Sequence, residues 1–221
     1  MIIDSSYLSG SLQLPNIKAT YPNSDILGNK ALLQKFIDEH EVELMIYAIG
    51  NVDYAEFLAQ FDPATGLLIG SPIAKWEKFI NGETYVIDGE TFRWKGLRYT
   101  EGTIKKSLIA DYIYSKFLDS FSVTVSGAGG QRSRSQNSSA VNTIPQSVNA
   151  WNNFITKYQG GADDGGMASM FSSTLGTTQG IDWTTNRSEY FVSMLQYFED
   201  KETDFPNVKT FLFKTKNSFG I

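Results

Sequence analysis

Apolar residues recur at three- and four-residue spacing along several stretches of the chain, which predicts helices with buried faces. The longest is predicted from Ile104 to Phe121, where only narrow strips of charged residues interrupt the apolar circumference. A second long helix is predicted over Lys30–Ile49, with Asn29 as its cap and Gly50 just past its end. Helices this apolar must be covered by their own domain or by another subunit. Shorter helices are predicted around residues 53–61, 72–80, 148–158 and 187–199.

Alternating β-prone residues predict three strands or strand pairs. Glu83–Ile87 and Glu90–Trp94 flank Asp88-Gly89, and this dipeptide supplies the positive φ angles of a type I′ hairpin turn. Residues 122–126 alternate with period two, which is typical of a strand. Residues 208–213 also predict a strand, which we expect to pair with a strand of its own or of an adjacent subunit.

A polar arm lies between the two predicted helices 104–121 and 148–158. Residues 127–139 contain no apolar residue larger than alanine, so this segment has nothing to bury and is expected to order only on a partner surface. Arg132 and Arg134 lie in it. They are predicted to contact DNA phosphates or a neighbouring subunit, or to remain solvated, and the negative net charge of the chain favours the protein contact.

These elements predict an α+β, mainly α fold. We expect a helical bundle with one β-hairpin, a flexible arm between two long helices, and a C-terminal extension. Residues 1–160 would form the core, with the hairpin at about 83–94 and the arm at about 122–142. Residues 161–221 would add a Gly/Ser-rich loop, a helix and a C-terminal strand and tail.

Charge and candidate chemistry narrow the function classes. The chain has 221 residues and a net charge of −5, which argues against a wholly basic nucleic-acid binder. It has no cysteine, and its single histidine, His40, lies on the apolar stripe of a predicted helix. A zinc site or a histidine-dependent catalytic set is therefore not expected. We predict no enzyme activity, cofactor, metal, signal peptide or membrane span.

Residues 33–50, followed by Tyr54, Phe57 and a short helix, resemble the opening of head–tail connector proteins of tailed bacteriophages. Among these adaptor or neck-ring proteins, the segment is most similar to those of phages that infect Bacteroidetes, including the crAss-like group. The predicted helix 104–121, the strand and arm after it, and residues 148–155 continue the pattern. Residues 217–221 also look like the ends of such proteins. The resemblance covers about residues 1–160 and rests on degenerate apolar motifs and element order.

The resemblance implies a structural virion protein without catalysis. Its copies would form a homo-oligomeric ring, usually of about twelve copies, in the neck of the virion. The ring would bind the portal protein, present a platform to downstream neck or tail proteins, and line the channel. Genomic DNA would pass through without sequence-specific binding, and no membrane would be involved.

Two other function classes stay open. A tail-completion or tail-tube terminator protein would have similar short helices and arms. A glycan-binding module would use Tyr85, Trp76, Trp94 and Tyr99 as a stacking surface. For the ring, the expected interface residues are the two arginines of the arm, two residues of the long helices and two of the predicted C-terminal strand: Arg132, Arg134, Ile46, Ile113, Phe211 and Phe213.

Overall fold

The computed structural model describes residues 2–14, 24–63, 65–121, 124–126, 129–131, 144–160, 192–208 and 211–216. This part of the chain contains five α-helices and three two-stranded antiparallel sheets. The predicted α+β, mainly α class is therefore confirmed. The elements are α1 (Ser24–Leu58), α2 (Ala74–Asn81), β1 (Glu83–Ile87), β2 (Glu90–Trp94), β3 (Tyr99–Glu101), β4 (Ile104–Lys106), α3 (Leu108–Phe121), β5 (Thr124–Ser126), β6 (Gly129–Gln131), α4 (Ile144–Gln159) and α5 (Met194–Asp200).

Helix α1 is longer than the sequence predicts, and it bends at Gly50. It begins at Ser24, so the predicted cap at Asn29 is wrong. Gly50 has φ 77° and ψ 165°, a conformation open to glycine but not to residues with a Cβ. The predicted end of the first helix at Gly50 therefore corresponds to a real break. The predicted second helix from Asp53 is the part of α1 that follows it.

The predicted hairpin is confirmed residue for residue. Strands β1 and β2 pair from Glu83 opposite Trp94 to Ile87 opposite Glu90. The two turn residues Asp88 and Gly89 have φ 52° and 85°, as a type I′ turn requires.

The start of α3 differs from the prediction, because residues 104–106 form strand β4. This strand pairs with β3, and Gly102, with φ 63°, lies in the turn between them. The Ser107 hydroxyl then accepts a 3.1 Å hydrogen bond from the Ile109 N–H and caps the helix. Ile104 belongs to the strand although it stands four residues before Leu108, because helical and strand patterns overlap at that spacing.

Helices α3 and α4 pack against each other and form the platform for the C-terminal residues. The Tyr112 and Phe154 rings lie 5.0 Å apart, and Lys157 Nζ lies 2.5 Å from Asp111 Oδ2. The largely apolar surface of α3 is thus buried inside the chain and needs no second subunit. Its buried apolar and aromatic residues include Leu108, Ile109, Ala110, Tyr112, Ile113 and Tyr114.

Aromatic rings from α2, β2 and α5 form a second part of the core. Phe79 stacks on Trp94 at 6.0 Å, and Trp94 stacks on Tyr197 at 5.2 Å. The Trp94 indole N–H donates to the Phe79 carbonyl at 2.9 Å. Ser193 caps α5, which begins at Met194. The helix predicted from about residue 187 therefore does not include residues 192 and 193, and residues 187–191 lie outside the described part.

The N-terminal residues also join the core without regular strands. Ile2 and Ile3 are buried, and their backbone N–H groups donate to the two Glu41 carboxylate oxygens at 2.8 and 3.0 Å. Burial raises the pKa of Glu41, although these two hydrogen bonds oppose the shift. One carboxylate of α1 therefore fixes the entry of the chain into the fold.

Candidate protein–protein interface

The C-terminal segment, which we define as residues 211–216, lies along α4 and is held by its backbone. The sequence predicts a strand over residues 208–213, and the structure describes Val208 and residues 211–213 of it. These residues form no strand, so the predicted pairing with another strand is wrong for them. Side chains of α4 take the place of the partner strand. The predicted arm lies largely outside the described residues. Its residues Gly129–Gln131 form β6 and pair with β5 of the same chain, so the prediction that the arm orders only on a partner surface is wrong for these three residues.

Two amide side chains of α4 each make a pair of hydrogen bonds to one residue of the C-terminal segment. Gln159 accepts from the Phe213 N–H at 3.0 Å and donates to its carbonyl at 3.1 Å. Asn152 accepts from the Lys216 N–H and donates to its carbonyl, both at 3.1 Å. The indole N–H of Trp151 adds a 2.7 Å bond to the Lys214 carbonyl. The segment therefore runs antiparallel to α4.

The spacing of the two amides matches an extended peptide. Asn152 and Gln159 are seven residues apart, which on an α-helix corresponds to roughly 10.5 Å. Lys216 and Phe213 are three residues apart, which in an extended chain corresponds to roughly 10 Å. The two side chains thus meet the peptide in register, as backbone groups of a neighbouring strand would.

Phe213 anchors the segment in an aromatic pocket. Its ring centroid lies 4.8 to 6.3 Å from the rings of six other residues, all in edge-to-face geometry. Such contacts stabilise by more than the buried area alone. The six rings come from α1, α3, α4 and the segment itself: Tyr47, Tyr112, Trp151, Phe154, Tyr158 and Phe211.

Lys216 provides a second anchor, which is electrostatic. Its ammonium lies 2.5 Å from Asp119 Oδ2 and 4.8 Å from the centre of the Trp151 ring. The other carboxylate oxygen of Asp119 accepts a hydrogen bond from Ser147 of α4 at 2.5 Å. The segment is therefore recognised through its backbone, a phenylalanine and a lysine three residues further on.

An exposed apolar patch adjoins this segment. We call it the α1 patch, and it comprises Tyr47 of α1 with Phe211 and Leu212 of the segment. The Tyr47 and Phe211 rings stack at 5.0 Å, yet these residues remain 43% and 42% exposed, and Leu212 is 64% exposed. On α1, the half-buried Ile46 directly precedes Tyr47. Neighbouring exposed apolar side chains of this kind make this surface a candidate protein-binding site.

The structure brings three of the predicted interface residues into this region and separates a fourth from it. Phe211 belongs to the α1 patch, the half-buried Ile46 directly precedes Tyr47 of that patch, and Phe213 packs in the aromatic pocket beside it. Ile113 is fully buried in the core and is closed to a second subunit. Arg132 and Arg134 lie outside the described residues. The amides Asn152 and Gln159 were missed, because two amides seven residues apart do not by themselves indicate a bound peptide.

Other chemistry in the described part of the chain is sparse. His40 Nδ1 lies 2.7 Å from Glu43 Oε2, in a contact within one turn of α1. No group of three His, Asp or Glu residues that could hold a metal occurs among the described residues. A cleft of about 130 Å³ lies beside Trp94, Lys95 and Tyr99, which is smaller than ordinary ligand pockets. None of the described helices has the length and apolar character to cross a bilayer.

The predicted aromatic surface of a glycan-binding module is wrong. Tyr85, Trp76 and Trp94 are buried in the core, so three of the four rings are inaccessible to a sugar.

Comparison of the chain with protein-family models, with curated proteins and with solved structures found no match. Within the described residues, the α1 patch and the segment beside it form the candidate interface.

Proposed function

We propose that this chain is a structural virion protein that forms a neck ring between the portal vertex and the tail of a bacteriophage. The similarity of residues 33–50 and the following elements to head–tail connector proteins gives the proposal its class. Neighbouring copies would meet in a cyclic, head-to-tail arrangement that closes on itself. The portal protein and the next neck or tail protein would bind the two faces of the ring.

The observation that carries the proposal is the α1 patch. It leaves Tyr47, Phe211 and Leu212 exposed, whereas the other aromatic residues whose burial the structure describes are buried or half-buried. Because α3 is covered within the chain, this patch is where we expect lateral contacts between copies. The net charge of −5 is compatible with a channel through which DNA slides, because like charges repel the phosphate backbone.

A tail-completion or terminator protein is a second structural reading, and it would use the same patch. Gene order distinguishes the two cheaply, since the ring predicts a portal gene close to the gene for this chain.

Deleting residues 128–138 of the arm is expected to leave the core folded and to impair ring closure or docking to the portal.

The decisive experiment is electron microscopy of virions that contain the chain with an epitope label. We expect the label in the neck, and a ring of density there that fits the described helices. A second set of particles carries Leu212→Glu, which places a charge in the α1 patch. We expect these particles to lack the ring and the tail beyond it.

Val86→Glu is the matched control. Val86 is 65% exposed on β1, so this change also introduces one carboxylate at an exposed apolar position, but on the hairpin. The control is expected to assemble normally. A label found outside the neck of assembled virions would overturn the proposed location, and a monomeric chain within the neck would overturn the ring.

A further inference from the structure

We propose that the groove on α4 binds the C-terminal segment of a neighbouring copy, so that adjacent subunits are linked by exchanged segments. The occupant is residues 211–216 of a second copy of this chain. The inference rests on the proposed self-association of copies but not on their place in a virion. It concerns how the copies are joined.

The contacts themselves allow the exchange. The hydrogen bonds from Asn152 and Gln159 go to backbone atoms, and Phe213 and Lys216 enter sites built by other parts of the chain. Every one of these contacts is unchanged when the segment comes from an identical chain. The strand predicted over 208–213 was expected to pair within or between subunits, and α4 offers an equivalent backbone partner.

The apolar residues of the segment favour a neighbour. Docking within one chain leaves Leu212 and Phe211 exposed beside Tyr47. A segment that crosses between copies brings a second chain alongside the α1 patch, where these side chains can be covered. Exchange and coverage of the patch therefore reinforce each other.

The chain before the segment sets the reach of the exchange. Phe205 is buried in the core and Val208 packs against it, so Val208 is the last described core-packed residue before the segment. Phe211 is three residues further on, and an extended chain of that length spans at most about 10 Å. Exchange therefore requires a neighbour whose groove lies within this distance, and two separated copies cannot exchange segments.

The local concentration of grooves decides whether a segment docks on its own chain or on a neighbour. A segment tethered by a short linker faces its own groove at an effective concentration of about millimolar. Dilute chains therefore keep their own segments, while copies held side by side offer a neighbouring groove at a comparable local concentration. If one variant lacks a working groove and the other lacks a working segment, neither can dock its own segment. Exchange between the two variants can then be measured in solution.

Two full-length variants make this test. The groove variant carries Asn152→Ala with Gln159→Ala and keeps an intact segment. The segment variant carries Phe213→Glu and keeps an intact groove. Each also carries Val86→Cys as the single dye attachment site, because the natural chain has no cysteine. Circular dichroism first verifies that each variant is folded.

Donor-labelled groove variant is then titrated with acceptor-labelled segment variant, and each variant is titrated with itself. Exchange predicts that the unlike pair associates at least tenfold more tightly than either like pair, with one-to-one stoichiometry. Equal energy transfer in like and unlike mixtures overturns the exchange. Lys216→Glu, a milder change at the second anchor, is the alternative segment variant if Phe213→Glu does not fold, and the same order is expected for it.

The outcomes separate this inference from the neck-ring proposal. Labelled rings in virion necks together with equal energy transfer would refute the exchange alone. Tighter association of the unlike pair, with the chain absent from necks, would refute the neck location alone.

Discussion

The ion pair between Asp111 and Lys157 gives the sharpest test of the α3–α4 platform. Asp111 is buried on α3, and Lys157 of α4 is its partner, at 2.5 Å. Burial raises the pKa of Asp111, and the positive charge of Lys157 holds this increase down. Lys157→Met removes the charge and keeps most of the aliphatic stem, so it isolates the electrostatic contribution.

Two costs bound the loss of unfolding free energy caused by Lys157→Met: that of leaving the Asp111 charge buried without its partner, and that of protonating Asp111. Breaking a buried ion pair by removing one partner costs about 3–5 kcal/mol, because the remaining charge stays buried. Asp111 escapes part of this cost by binding a proton. From an ordinary pKa near 3.9, protonation at pH 7 costs about 4 kcal/mol, at about 1.36 kcal/mol per pH unit. We therefore expect Lys157→Met to lower the free energy of unfolding at pH 7 by about 3–4 kcal/mol.

The sign with pH is fixed by the direction of the shift. A carboxyl whose folded-state pKa is raised holds its proton to higher pH in the fold, so its contribution to stability falls as pH rises. Loss of Lys157 raises the folded-state pKa of Asp111 further. Between the folded-state pKa values of the two proteins, the destabilisation should therefore shrink by about 1.4 kcal/mol for each unit that the pH falls.

Urea denaturation of the natural chain and the variant at pH 7, 6 and 5 measures this slope. The control is Asp111→Asn combined with Lys157→Met, which contains neither charge and is expected to show no pH dependence from this site. A destabilisation by Lys157→Met that stays below about 1 kcal/mol and does not change with pH would refute a buried, coupled pair.

Three further changes test other parts of the fold. Ile113→Asp is expected to cost several kcal/mol in thermal melts because Ile113 is fully buried, whereas Ile46→Asp should mainly weaken self-association; equal losses of stability would contradict this division. Glu41→Ala is expected to speed amide exchange at Ile2 and Ile3 by tenfold or more, and unchanged exchange would show that Glu41 does not hold them. Gly96→Ala is expected to destabilise by more than 1 kcal/mol in urea, because Gly96 has φ 90° and an added Cβ would lie 2.6 Å from the Ile80 carbonyl. Stability equal to the natural chain would refute that close packing.

Local chemistry made part of the fold predictable. The hairpin 83–94 was predicted with its exact bounds because Asp88 and Gly89 specify the turn and the alternation specifies the strands. Gly50 was correctly placed at a helix break for the same kind of reason. Strand β4 was missed because Ile104 fits a helical stripe as well as a strand. The dipeptide Gly102-Thr103, with a glycine at the first turn position, was the signal that distinguishes them.

Long-range partners were not predictable in the same way. The β-prone residues near 211–213 indicated an extended backbone that needed hydrogen bonds, but not which groups would supply them. Amides at Asn152 and Gln159 look like ordinary helix surface until the segment is placed against them. Three of the four aromatic residues considered for glycan binding were likewise core residues, since ring content alone does not distinguish a core from a surface.

Both ends of the described chain are held by the same device, a helix side chain that binds backbone groups. Glu41 holds Ile2 and Ile3, and the amides of α4 hold Phe213 and Lys216. Such bonds are indifferent to the side chains they hold, so specificity falls to the anchors beside them. At both ends these bonds act together with packed side chains, Ile2 and Ile3 at one end and Phe213 at the other. Because the C-terminal contacts join the segment to helices of the chain, the same groove on an identical neighbouring copy offers the same backbone bonds and the same anchors.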